Sequence, residues 1–332
     1  KLWRLRNRRE WSNGAGLYQH GACLSLRFSV RGIRHRPLLV IDMGVIAGLV
    51  AALAWTLASS LWRGLSTSLT ALELNGLKNA IACVLLLPVF VFLPWTNESQ
   101  ALFWLLISGG IGISLGDSFY LAALRRLGTR RTLTLESLAP LIAALGGLVV
   151  MGERIEVQAW LGAAMVSLSV LLVARQRPPD GTRELDRARK VQGQGIAFAL
   201  LAVLCGVSGA AVSRSVLIST DLTAWQSAAT RLLGGLLLLL PWLRLRTLFP
   251  KPRPKHRRWP RVLLATLLGT NVGIVLQQVV LKQLPLGIGI TVLSTAPVMA
   301  LLVAAPEGDH PRAAGVCASL LAVSGIALAV LA

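Results

Sequence analysis

The sequence predicts an all-α integral membrane protein whose ten transmembrane helices form two inverted five-helix repeats. Three observations carry this. Of 332 residues, 54% are hydrophobic and only 14% are charged, where an ordinary soluble domain carries about 25% charged residues. The apolar residues fall in runs of roughly 20, long enough to cross about 30 Å of hydrocarbon as helices. The two halves of the chain also repeat one pattern of prolines, glycines and charges.

Along the chain, residues 1–42 hold nine basic side chains and no apolar run long enough to span. They also lack the basic, apolar and small-residue order of a signal peptide. A basic, disordered extension is expected there, or an upstream stretch foreign to the working protein, which then opens at Met43. Candidate helices follow at 44–62, 74–94, 101–124, 132–151, 157–174, 195–217, 224–243, 261–283, 287–305 and 312–331. Trp62, Trp95, Trp104, Trp160, Trp225, Trp242 and Trp259 stand near their ends, where an indole favours the headgroup level. The stretch 175–194 (RQRPPDGTRELDRARKVQGQ), with Pro178, Pro179 and alternating charges, is read as a polar linker. It divides a first repeat, 44–174, from a second, 195–331.

The halves match residue by residue. Lys78 and Arg231 each precede a proline by ten residues, Pro88 after VLLL and Pro241 after LLLL. At a slightly larger offset, Gly112/Gly269, Gly116/Gly273, Leu124/Leu281, Arg125/Lys282, Leu127/Leu284, Ser137/Ser294, Ala139/Ala296 and Pro140/Pro297 align without a gap. Five spans is an odd number, so the second copy enters the membrane in the opposite orientation, about a pseudo-two-fold axis in the membrane plane. That architecture implies a transporter.

The formal charge of +20, from 34 Lys and Arg against 14 Asp and Glu, would suggest nucleic acid in a soluble protein. Its placement excludes that partner. Four, six and eight basic residues crowd into 125–131, 175–194 and 244–261, between the apolar runs, as the positive-inside bias produces in loops that meet anionic headgroups. Cys23, Cys83, Cys205 and Cys317 show no CxxC spacing, and His20, His35, His256 and His310 fall outside the spans. No metal site and no cofactor is expected. Without a nucleophile elbow, an HExxH or a phosphate-cradling loop, an enzyme has no sequence basis.

The segment GDSFYLAALRRLGTRRTLTLESLAPLIAALGGLVVMGERIEVQAWLGAAMVSLSVLLVA resembles the third-to-fifth-helix pattern of the EamA-type, ten-helix members of the drug/metabolite transporter superfamily. The similarity rests on ALxxLG, a Ser-Leu-x-Pro inside the fourth helix, GER, and a glycine-bearing fifth helix. The second copy reads LKQLPLGIGITVLSTAPVMALL and AAGVCASLLAVSGIALAV, and has ProGluGlyAsp at 306–309 where the first has GluArg. Many members carry Glu immediately before the fourth-helix proline; here that position is Ala139, and the acid lies one turn earlier at Glu136. The resemblance implies movement of small metabolites, most often amino acids or related compounds, usually outward and often with proton exchange.

An ionisable group at mid-membrane costs about 2.5–3.5 kcal/mol on insertion scales and so faces a cavity or a partner. The expected pathway residues are Asp117, Tyr120, Glu136, Arg231, Asn271, Gln277 and Ser294, with Gln278 and Thr291 as further polar groups on the eighth and ninth helices. Glu136 could exchange a proton beside the backbone weakened by Pro140, or could be a carboxylate near a helix N-terminus beside Arg130 and Arg131. Asp117, with Tyr120 one turn on, could meet a substrate amine or a proton, or form an ion pair with Arg63 or Arg214. Lys78 and Arg231, related by the repeat, could each hold a substrate carboxylate or snorkel toward headgroups; snorkelling is the preferred reading for Lys78, and Arg231 stands open between the two. Pro140 and Pro297 are read as helix-breaking. Gly112, Gly116, Gly269 and Gly273 form GxxxG pairs expected to bring helices three and eight together.

The resulting expectation is a secondary transporter, a monomer or homodimer of an inner (plasma) or thylakoid-type membrane. It moves a small metabolite by alternating access through a cavity lined by helices one, three, four, six, eight and nine, with protons as a coupling partner. A carrier of organic acids or phosphorylated metabolites, and a non-transporting scaffold or sensor, are the alternatives. The three basic loops favour a cytoplasmic location for themselves and outside ends for the helical unit; the basic residues of 1–42, and the arrangement usual in the family it resembles, favour the reverse.

Overall fold

In the computed structural model, residues 43–65, 67, 69–95, 98–143, 157–174, 182–243, 258–284, 286–304 and 313–330 are described, and the regular structure among them is entirely helical. The basic head 1–42, the GER motif and the ProGluGlyAsp stretch lie outside these residues. The helices are α1 (Met43–Arg63), α2 (Ala71–Leu85), α3 (Leu87–Phe92), α4 (Ser99–Gly109), α5 (Asp117–Leu127), α6 (Thr129–Glu136) and α7 (Val157–Ala174). They continue as α8 (Thr182–Ser219), α9 (Ala224–Leu239), α10 (Trp259–Ala265), α11 (Gly273–Gln283), α12 (Leu286–Leu293), α13 (Ala296–Ala304) and α14 (Ala313–Val330).

Among the described residues four continuous helical stretches are long and apolar enough to cross a membrane: Met43–Arg63, Ser99–Leu127, Lys190–Ser219 and Trp259–Gln283. They correspond to the first, third, sixth and eighth expected helices, two in each half. Many large apolar side chains on their outer faces, such as Leu49, Val50, Phe103, Leu204 and Leu263, are exposed, as suits an apolar solvent.

Local chemistry fixes where these helices start and bend. Thr70 and Glu73 form a capping box at the start of α2, and Thr223 and Gln226 form the same device at the start of α9. Each satisfies two backbone N–H groups that the first turn leaves open. Helix two therefore begins at Ala71 rather than 74. It breaks at Leu86, where Pro88 opens α3, and α9 gives way to a short 3-10 turn, Leu240–Trp242, around Pro241. Proline cannot donate into the preceding turn, so it sits at the start of a new segment.

The third and eighth expected helices each contain a π-helical segment, Gly110–Gly116 between α4 and α5 and Thr266–Val272 between α10 and α11. Such wide turns leave backbone carbonyls for side chains to satisfy. Asn75 Nδ2 donates to Ile113 O at 2.8 Å and Ser114 O at 3.0 Å, and Trp55 Nε1 donates to Gly269 O at 2.9 Å. The fourth expected helix starts at Thr129 and is interrupted at Ser137–Leu138 before resuming at 139; the ninth is interrupted at Ser294–Thr295 between α12 and α13. Both interruptions lie just ahead of the prolines, Pro140 and Pro297. The linker 175–194 is helical from Thr182 onward, as the beginning of α8.

The first π segment packs against α8 and α9, the second against α1 and α2, and α7 packs along α14. The expected approach of helices three and eight is corrected by this. A Cβ on Gly112 would lie 3.5 Å from Gly209 Cα, and one on Gly116 would lie 3.4 Å from Cys205 Cβ, both on α8. A Cβ on Gly269 or Gly273 would meet Ala58 or Trp55 of α1, at 2.6 and 2.3 Å. The glycines thus seat each helix against the first helix of the opposite half. The tightest seam, which the GxxxG reading missed, joins α4 to α9: a Cβ on Gly109 would lie 1.8 Å from Arg231 O.

Candidate functional site

Between these elements lies a cavity of about 220 Å³. Its walls come from α1, α2, the first π segment, α5, α6, α8, α9, the second π segment, α11, α12 and the start of α13. Helices two and seven of the expected ten therefore join the six anticipated. They bring Lys78 and Arg231, each placed eight residues after its capping threonine.

Lys78 is buried and forms an ion pair with Asp117 at the start of α5. Two expectations are corrected. Lys78 does not snorkel, because it is buried with Asp117 as its ion-pair partner, and Asp117 pairs with Lys78 rather than with Arg63 or Arg214. Those two arginines are occupied at helix ends: Arg214 Nη1 donates to Leu281 O and Leu284 O at the end of α11, and Arg63 lies against Gly128, the equivalent turn after α5.

Tyr120 Oη lies 2.6 Å from Ser59 Oγ, and Ser59 donates in turn to Trp55 O at 2.6 Å, so the phenol hydroxyl donates to Ser59. Trp62, expected at the membrane interface, is buried and lines the cavity instead. The indoles of Trp225, Trp242 and Trp259 are about half exposed.

Glu136 ends α6. The reading of it as a carboxylate near a helix N-terminus is therefore corrected: the helix begins three residues earlier than expected and stops at Glu136, where its dipole disfavours a negative charge. The carboxyl lines the cavity, and its Oε1 atom is buried without a hydrogen-bond partner. Arg130 turns toward Gly315 of α14.

Arg231 is 2% exposed. Its Nη1 donates to Gln277 Oε1 at 3.2 Å, its Nε is buried with no partner, and its Nη2 would lie 3.1 Å from a Cβ on Gly112. Gln277 Oε1 also lies 3.5 Å from Gln278 Nε2, and Gln278 accepts from Ser227 at 3.0 Å. Gln278 is thus a structural link behind the cavity wall.

Asp117, Tyr120, Glu136, Arg231, Gln277 and Ser294 are gathered on one cavity. Asn271 is not: it is buried against α2, where its Nδ2 donates to Ala82 O at 3.1 Å. The side chains of Thr291 and Pro297 lie outside the described residues. The sequence reading missed Trp55, Ser59 and Asn75, which complete the polar frame. Thr-x-x-Glu at 70–73 signalled the true start of the helix that carries Lys78, and nothing in the sequence signalled its pairing with Asp117.

Among the described residues the site therefore holds two cations, Lys78 and Arg231, and two carboxyls, Asp117 and Glu136, in a largely apolar enclosure. Among the described residues no group of three metal-ligating side chains is found. It can bind a charged solute and exchange a proton.

The EamA-like transporter family matches the chain twice, over residues 42–175 and 193–331. A solved protein crystal structure shares the fold, with a TM-score of 0.61 at 20% identity, covering 87% of this chain and 98% of its own. No curated protein matches.

Proposed function

The chain belongs to the EamA-like transporter family, and from that premise we propose that it is a secondary-active carrier working by alternating access around the described cavity. Ten spans in two inverted repeats supply the two access states. The paired features support this: capping boxes, π segments and interruptions before a proline recur in both halves. The observation that carries the function is that charged groups from both halves meet in one solute-sized cavity inside an apolar bundle.

The cargo is an amino acid or related small metabolite, moved outward through a plasma or thylakoid-type membrane. Glu136 is the proton-exchanging group, since its buried oxygen lacks a fixed partner, and Asp117, Tyr120, Arg231, Gln277 and Ser294 contact the solute. One chain encloses the pathway, so a monomer suffices. A scaffold or sensor would be served by a dry, sealed core, and the cavity counts against it.

Glu136→Gln is expected to abolish flux driven by a pH gradient in reconstituted vesicles while leaving the protein folded. Wild-type flux in this variant would remove Glu136 from the mechanism.

A further inference from the structure

We infer that the solute is a monoanion held through one carboxylate on Arg231, with an uncharged, apolar body. This rests on the transport reading and narrows its cargo to relatives of amino acids that keep the carboxylate and lack the ammonium group.

Lys78 and Asp117 neutralise each other across the wall of the cavity. Lys78 is thereby withdrawn as an anion site, although sequence symmetry makes it the counterpart of Arg231. Among the described residues Arg231 has no carboxylate within ion-pair distance: the residue equivalent to Asp117 in the second half is Ile274, which also lines the cavity. Its guanidinium has five N–H donors, yet among the described residues the only side-chain acceptor it meets is the neutral Gln277 amide. Burying a cation with its donors open is unfavourable unless a ligand completes the set. A carboxylate does so with two parallel hydrogen bonds, which the planar fork favours.

The same balance of charges excludes a dianion. Among the described residues a second negative charge would find no second uncommitted cation on this cavity and would stand near the carboxyls of Asp117 and Glu136. Phosphorylated metabolites and dicarboxylates are disfavoured on this ground.

The body follows from the remaining lining. Trp55, Trp62, Leu121, Leu133, Ile290 and Leu293 form apolar walls. An apolar cavity of about 150 Å³ holds one benzene, so the volume here suits a solute of roughly nine non-hydrogen atoms.

Binding to the purified full chain in lipid nanodiscs tests this, with 4-methylpentanoate, hexanedioate and 4-methylpentan-1-amine as probes. The monocarboxylate is expected to bind, the dicarboxylate at least about tenfold more weakly, and the amine not at all. Arg231→Gln should weaken 4-methylpentanoate binding on the order of tenfold to a hundredfold, the range that one charged hydrogen-bonding group spans. Arg231→Lys, which keeps the charge and loses the fork, should fall between, and serves if the Gln variant does not fold. Equal binding of the amine, undiminished affinity in both variants, or no binding of the monocarboxylate to folded protein would each overturn the inference. Carboxylate-selective binding without flux in proteoliposomes would instead remove the transport reading, whereas flux indifferent to Arg231→Lys would remove the inference alone.

Discussion

Lys78 and Asp117 compensate each other inside an apolar bundle, so either is costly only when the other is lost. Lys78→Met and Asp117→Asn are each expected to destabilise the protein by about 3–5 kcal/mol, and the double variant to lie closer to wild type than either single one. Thermal unfolding in detergent measures the cycle, and additive losses would mean that the ion pair does not matter. Both charges were visible in the sequence, but their pairing was not, because it joins residues 39 apart on two helices. Gly128 has φ +82° and a Cβ there would lie 2.0 Å from Arg63 Nη1. Gly128→Ala should therefore lower the unfolding temperature through both backbone strain, about 1–3 kcal/mol for this positive-φ, extended-ψ conformation, and the displaced arginine.

The long apolar helices were legible from hydropathy because a span needs a minimum length and few charges. Their internal geometry was not. A π turn adds one residue per turn without changing composition, so nothing in the run around Gly112 or Gly269 distinguishes it from an α-helix. What reveals it in retrospect is the polar partner: Asn75 is wholly buried only because two loosened carbonyls need its amide. Asn75→Ala should leave both short of a donor, costing about 1–3 kcal/mol for each partner lost. If the π segment holds helix three open for transport, flux should also fall; unchanged stability and flux would show that the segment stands without Asn75. The interruption after Glu136 was foreseen only as a weakness at Pro140. Its position decides that Glu136 faces the cavity from a helix end.

Repetition organises the whole molecule. Its first layer was readable as matching prolines and glycines, and a second emerges in the matched capping boxes and in Arg63 and Arg214 at matched helix ends. The symmetry is broken where the chemistry lies: Asp117 and Glu136 correspond to Ile274 and Leu293, so the cations are alike in position and unlike in company. Sequence symmetry alone could not tell which of them is committed. The basic loops make a separate prediction about orientation. A reporter fused at Arg187 should be cytoplasmic and one at Ala332 outside; a cytoplasmic reporter at Ala332 would reverse the assignment.

The claim that this cavity is a solute pathway is tested most directly by comparing internal and external metabolites of cells producing the wild-type chain, the Glu136→Gln variant, or neither. An alternating-access carrier redistributes at least one small carboxylate-bearing metabolite in the wild type alone. Identical profiles for all three, with the protein folded in the membrane, would contradict it.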